Sequence, residues 1–169
     1  IDAYLERALE LIPMNQIDIE RRRNVAITHT ALHGVGWFVV KQLMDRAGFH
    51  LVPVASQQEP DGLFPTVSFP NPEEPGAMDQ SFEAAKKNRS DLILANDPDA
   101  DRLAVGELLD GHYQMLTGDQ VGMLLANELA PNSKVIANSI VSADLSALAD
   151  YHGVDYKQTL TGFKWISKV

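Results

Sequence analysis

The 169-residue chain has no cysteine, which excludes a disulfide frame and thiol chemistry and fits a reducing compartment. It also lacks any apolar run long enough to span a membrane, and its N-terminus carries no basic-then-apolar signal pattern, so a cytoplasmic protein without a membrane partner is expected. Positive charge is scarce. Fourteen Lys+Arg stand against 23 Asp+Glu, a formal charge of −9, which argues against a nucleic-acid partner because phosphate backbones need a basic face. The same imbalance disfavours an anionic lipid surface. It sets no bar to a small phosphorylated ligand, whose phosphates need only a few local cations.

What is present is ordinary for a globular protein: 45% hydrophobic and 22% charged residues, enough for one domain or one and a half with a real core. Leu5, Leu9 and Ile12 recur at helical spacing over residues 1–12, before Pro13 and Asn15 break the pattern. A start in mid-helix without Met leads us to expect a piece of a longer chain. The polar run 20–24 is expected to face solvent at a sheet edge. Residues 24–29 read as a buried strand, and His33-Gly-Val-Gly36 then opens a helix through Ala47 that Gly48 closes. That turn has two readings. A strand, a glycine turn and a helix start make an anion site in which His33 touches a phosphate, whereas the same letters also describe a tight turn with close packing. His29 and His50 are read as structural.

Residues 51–55 form a second expected strand. Prolines at 60, 65, 70, 72 and 75 then forbid regular structure over 56–76, and Leu63, Phe64, Val67 and Phe69 are expected to pack that segment down. Glu73 and Glu74 read as solvated acids. A helix over 77–88 leads into residues 91–109, DLILANDPDADRLAVGELL. Asp110-Gly111 joins strands 103–109 and 112–116 as a hairpin. Thr117 and Gln120 match a capping box, with Val121, Leu124, Leu125 and Leu129 as the apolar stripe of the helix that follows. A second α/β unit is expected from strand 134–137, helix 143–151 closed by Gly153, and strand 154–158. Another helix would start after Thr161-Gly162-Phe163-Lys164.

The chemistry centres on the loop that carries Asp97, Asp99 and Asp101 at alternate positions, followed by Arg102. Pro98 has no N–H and pushes Asp97 toward extended backbone, and alternation along such backbone sends the three side chains to one side. Three carboxylates that close repel unless a cation sits among them, and the expected cation is a hard divalent ion such as Mg²⁺, with Arg102 as a donor for a phosphate sharing it. Lys164 adds a second point charge at a helix start. An EF-hand would need Gly and Glu at its sixth and twelfth positions, where this loop has Arg102 and Leu108. A haloacid dehalogenase-type phosphatase shares the D-x-D after a strand, but Gly118-Asp119 does not supply its later acidic motif. These features describe phosphoryl transfer without a marked nucleophile.

Asn96-Asp-Pro-Asp-Ala-Asp-Arg102, with Pro70-Asn-Pro-Glu-Glu-Pro75 and Thr161-Gly-Phe-Lys164, resembles the α-D-phosphohexomutase superfamily of phosphoglucomutases and phosphomannomutases. The likeness runs from about Val25 to the end. It implies an α/β chain of two consecutive α/β/α sandwich units with mixed sheets, the second truncated. Residues 1–20 would be a helix and linker from a preceding domain, 21–111 the second domain with the metal loop, and 112–169 part of the third. It further implies Mg²⁺ on Asp97, Asp99 and Asp101, and Arg102, Thr161, Gly162 and Lys164 at the sugar phosphate, with His33 added from the turn. The phosphate carrier would be a serine in a flanking domain of the same chain, leaving no catalytic residue in this stretch. The implied activity is phosphate exchange between the 1- and 6-positions of a hexose phosphate. A phosphopentomutase, the phosphatase and a non-catalytic metal or phosphate module remain open at this stage.

Overall fold

Strand β1 (Ala26–Thr30) is the axis of the first unit, with β2 (His50–Pro53) parallel on one side and β3 (Leu92–Asn96) parallel on the other. A central parallel strand is covered on both faces, so Ile27 to Thr30 are all buried and the alternation of a half-exposed strand is absent. Three of these four residues are polar, and burial obliges them to find partners. Thr28 Oγ1 meets Ser90 Oγ at 2.8 Å, Thr30 Oγ1 donates to Gln57 Oε1 at 2.7 Å, and His29 Nε2 lies 3.1 Å from Asn96 Oδ1.

The computed structural model describes residues 1–11 and 18–169, which divide into Ile1–Leu116 and Thr117–Val169. In the first unit β3 pairs antiparallel with β4 (Leu103–Leu109), and β4 with β5 (His112–Met115), completing a five-stranded mixed sheet of order β2-β1-β3-β4-β5. Helices α1 (Asp2–Glu10), α2 (Ile19–Asn24), α3 (Trp37–Arg46) and α4 (Asp79–Asn88) accompany it. The chain passes from β1 through α3 to β2, then through α4 to β3 on the other side of β1. Right-handed crossovers in opposite directions place α3 and α4 on opposite faces. The gap beyond the carboxyl ends of β1 and β3 is therefore a topological switch point, where open α/β sheets bind their ligands. On the α4 side Met78, Ala85, Ile93 and Ala95 form the core, with Phe82, Ala104, Tyr113 and Met115 packed against it.

The second unit has α5 (Gly118–Leu129), β6 (Val135–Ser139), α6 (Ser146–His152), β7 (Asp155–Thr159) and α7 (Phe163–Ile166). Its two strands are parallel, so the mixed sheet belongs to the first unit. The capping box at Thr117 and Gln120 forms as expected. Ala130, Ile136, Leu145 and Ala149 make this unit's own small core.

Three expectations need correction. Residues 20–24 face solvent as expected, apart from half-buried Arg22, but they do so as a helix rather than as a sheet edge, because Asp18 caps the segment by accepting from Glu20 N at 3.0 Å. Leu63 and Phe69 are 87% and 60% exposed rather than packed down. That segment folds by turns, such as Phe64 N to Asp61 O at 3.0 Å and Val67 N to Phe64 O at 3.1 Å, which satisfy backbone without apolar burial. Of the stripe on α5 only Val121 is buried, while Leu124, Leu125 and Leu129 are exposed, since a two-stranded sheet has too little face to cover a helix. The expected break at Pro13 and Asn15, and the stripe residue Ile12, lie outside the described residues.

Ile93 is fully buried in the α4-side core. Ile93→Ala is expected to cost about 3 kcal/mol through lost burial and the cavity left behind, read as a lower urea midpoint at unchanged slope.

Candidate metal centre

The connection from Asn96 to Arg102 sits at the switch point. It is a turn rather than extended chain: Asp97 O accepts from Ala100 N at 3.0 Å, and Ala100 takes φ 59°. The expected alternation along extended backbone is thus not what gathers the acids. The turn does it instead, bringing one carboxylate oxygen from each of Asp97, Asp99 and Asp101 within 4.8 Å of one another. Such a hard oxygen cluster is able to hold a divalent metal.

The three acids are not equivalent. Asp97 is 2% exposed, whereas Asp99 and Asp101 face solvent. Burial works against a charge on Asp97, but hydrogen bonds from the Arg102 side chain and backbone outweigh it and hold the carboxyl below its ordinary value. Arg102 Nε donates to Asp97 Oδ2 at 2.7 Å and Arg102 N to Oδ1 at 3.1 Å. The exposed Asp99 moves the other way, raised by its hydrogen bond with Asp97 and by the charge of Asp101. Like charges crowded this way repel one another, and a cation among them would relieve that repulsion.

Arg102 is less free than the sequence implied. Besides Nε on Asp97, its Nη1 donates to Asn71 Oδ1 at 3.2 Å. The remaining Nη hydrogens keep a face for an anion, but the whole fork is not available. Asn71 carries no chemistry in isolation, and its only sequence signal was its place between Pro70 and Pro72. Asn96 is the other residue to which sequence reasoning assigned no role. Its Nδ2 donates to Arg102 O at 2.8 Å while Oδ1 faces His29, so one amide joins the two ends of the acidic turn.

The HGVG turn packs directly on this loop. Val35 N donates to Pro98 O at 2.9 Å, and a Cβ on Gly34 would come within 2.2 Å of Pro98 Cα. A Cβ on Gly36 would meet that of Ala100 at 2.9 Å. Both glycines are required by close approach of backbone. His33 is buried, with Nε2 2.8 Å from Thr66 Oγ1, so that nitrogen is engaged with the 56–76 segment. Thr161, Gly162 and Lys164 belong to the second unit. There Thr161 Oγ1 lies 2.7 Å from Ser139 Oγ, Gly162 takes φ 121° ahead of α7, and Lys164 Nζ stands 5.3 Å from the Trp165 ring centroid.

A family model for phosphoglucomutase/phosphomannomutase, alpha/beta/alpha domain II, matches residues 2–108. The chain belongs to the phosphoglucomutase/phosphomannomutase family. Over 178 residues it is 40% identical to a probable phosphomannomutase of Haemophilus influenzae, covering 100% of this chain and 35% of that protein. It is 36% identical to the phosphoribomutase of Saccharomyces cerevisiae, over 96% of this chain and 30% of that one. A crystal structure of a phosphoglucomutase/phosphomannomutase family protein from Burkholderia thailandensis superposes with a TM-score of 0.76 at 25% identity, over 99% of this chain and 34% of the other. The chain spans about a third of the length of the curated relatives it matches. Both named relatives are mutases by name.

Two outcomes test this geometry. Asp99→Asn should raise the Tm of the metal-free protein at neutral pH, because a folded carboxyl with a raised pKa penalises the fold once it ionises. The gain should shrink as pH falls and Asp99 takes up its proton. Asp97 has the opposite sign: its depressed pKa marks stability that is present above the ordinary carboxylate range and lost as pH falls through the folded value. Gly34→Ala should displace Pro98, lowering Tm and weakening divalent-metal binding in a calorimetric titration together.

Proposed function

We propose that the full-length protein is a phosphoglucomutase/phosphomannomutase-type enzyme that exchanges phosphate between the 1- and 6-positions of a hexose phosphate, with Asp97, Asp99 and Asp101 as ligands of Mg²⁺. The observation that carries this reading is the convergence of the three carboxylates in one turn with Arg102 against the buried one. When bound, Mg²⁺ supplies positive charge beside phosphate oxygens. Arg102 orients Asp97 and turns its remaining Nη hydrogens toward an anion near the triad. We assign to Thr161, Gly162 and Lys164 a contact with the sugar phosphate. To His33 we assign anchoring of the 56–76 segment in place of phosphate contact, since its Nε2 is paired with Thr66. The phosphate carrier in this reading is a serine in another domain of the full-length protein, with residues 1–20 leading in from a preceding domain; because β5 pairs with β4, the second domain is taken to Leu116 rather than to 111, and Thr117 onward forms part of the third.

A second reading, a phosphopentomutase acting on ribose phosphate, is favoured by the 36% identity to a phosphoribomutase. A cytoplasmic setting fits either one, supported by the absence of cysteine. No helix among the described residues is long and apolar enough to cross a membrane.

In the full-length protein, Asp99→Asn should lower kcat/KM for isomer exchange by on the order of 10³-fold, the scale of charge stabilisation a metal provides, with folding retained by circular dichroism. Full activity of that variant at ordinary Mg²⁺ would overturn the metal assignment. The 169-residue chain alone should give no turnover, and the ratio of kcat/KM between glucose 1-phosphate and ribose 1-phosphate decides between the two sugars.

A further inference from the structure

His29 is 1% exposed and sits on β1 beneath the acidic turn, its ring 5.5 Å from that of Trp37. Of its two nitrogens, Nε2 faces Asn96 Oδ1 at 3.1 Å and Nδ1 has no hydrogen-bond partner among the described residues. The tautomer follows from Asn96. Its Nδ2 is committed as donor to Arg102 O at 2.8 Å, a carbonyl that only accepts. Oδ1 is thereby the end turned toward His29, and an amide oxygen needs a donor. The proton of His29 must be on Nε2, and Nδ1 keeps a bare lone pair. A proton on Nδ1 instead would leave a buried N–H unpaired and set two lone pairs against each other, both costly in a dry site.

The consequences reach the carboxylates. Asn96 directly precedes Asp97, and its bond to Arg102 O closes the base of the turn that gathers the triad. Turning the amide over would point Oδ1 at the Arg102 carbonyl and open that base. We propose that His29, held neutral with its proton on Nε2, is a positioning residue that locks the Asn96 amide and so fixes the spacing of Asp97, Asp99 and Asp101 before any cation arrives. His29 touches none of the three acids in the hydrogen-bond pattern. Partners that orient a ligand-bearing segment from behind are worth about 10- to 100-fold in metal affinity.

This inference rests on the metal reading above, so its test separates the two. Mn²⁺ binding to the full-length protein is measured by electron paramagnetic resonance, with Tm recorded in parallel. His29→Leu, which removes the donor but keeps an apolar side chain, should weaken Mn²⁺ binding about tenfold. His29→Gln, whose amide carries a donor near the place of Nε2, should restore most of it even if Tm stays low. A merely structural role would lower Tm in both variants and leave the affinity of the folded protein unchanged. Nitrogen-15 chemical shifts of the unaltered protein should show His29 neutral and protonated on Nε2, a readout that stands even if His29→Leu does not fold. An Nδ1-protonated ring, or unchanged Mn²⁺ affinity in His29→Leu while Asp99→Asn loses binding, overturns the proposal. Unchanged binding in Asp99→Asn overturns the metal reading itself.

Discussion

Asp97 is a carboxylate that the fold buries and still keeps ionised, and the acidic turn depends on how that is done. A buried charge without a partner would take up a proton or open the structure. Here Arg102 supplies both a backbone and a side-chain donor to the same carboxylate. Two bonds to one group close the turn from Asp97 to Arg102 and fix the direction from which Asp97 presents its remaining lone pairs. The two exposed acids then have no choice but to stand near it. Their repulsion is borne by a loop already pinned through Pro98 O to Val35 and through Asn96 to Arg102 O.

That pinning has to come from a part of the protein that does not move, and β1 provides it. Its polar residues are buried on both faces and paired one by one to neighbouring elements. From Thr30 the chain of bonds continues through Gln57 to Thr66 and His33, with Gln57 Nε2 donating to Thr66 Oγ1 at 2.9 Å. The segment 56–76 is therefore tied at its middle by polar contacts, even though its apolar residues Leu63 and Phe69 are exposed. Its far end returns Asn71 to Arg102. Three stretches distant in sequence thus meet at the switch point by hydrogen bonds and backbone packing more than by hydrophobic contact.

This explains what the sequence made legible. Strand β4 was readable at its observed bounds, because Asp110-Gly111 supports a tight hairpin with positive φ at both positions, 50° and 80°. The cap of α5 was readable for the same local reason. Where tertiary structure decided, local signals misled. The polar run 20–24 has no apolar stripe to mark it as a helix, and its start is set by the Asp18 cap. The stripe of α5 was real as a pattern, but a pattern records an intention to be covered and says nothing of what covers it. The acidic loop lies between these cases. Its residue types announced a cation, yet period-two alternation was the wrong device, since Ala100 at positive φ turns the chain back on itself.

The glycines of HGVG sharpen the same point. A glycine turn ahead of a helix invites a phosphate because free N–H groups gather there, but in this fold Val35 N is spent on Pro98 O and Gly34 and Gly36 lie in van der Waals contact with the opposite loop. Their lack of side chains lets one loop serve as the floor of another. A carboxylate cluster able to hold a divalent cation gains from such a floor, because ligands that are held apart in advance need not pay the ordering cost if an ion binds. The same rigidity keeps the carboxylates in mutual repulsion while no ion is present, which is the strain a divalent cation relieves. Placing that strain on a loop tied to β1 through Asn96 and His29 lets the fold tolerate it.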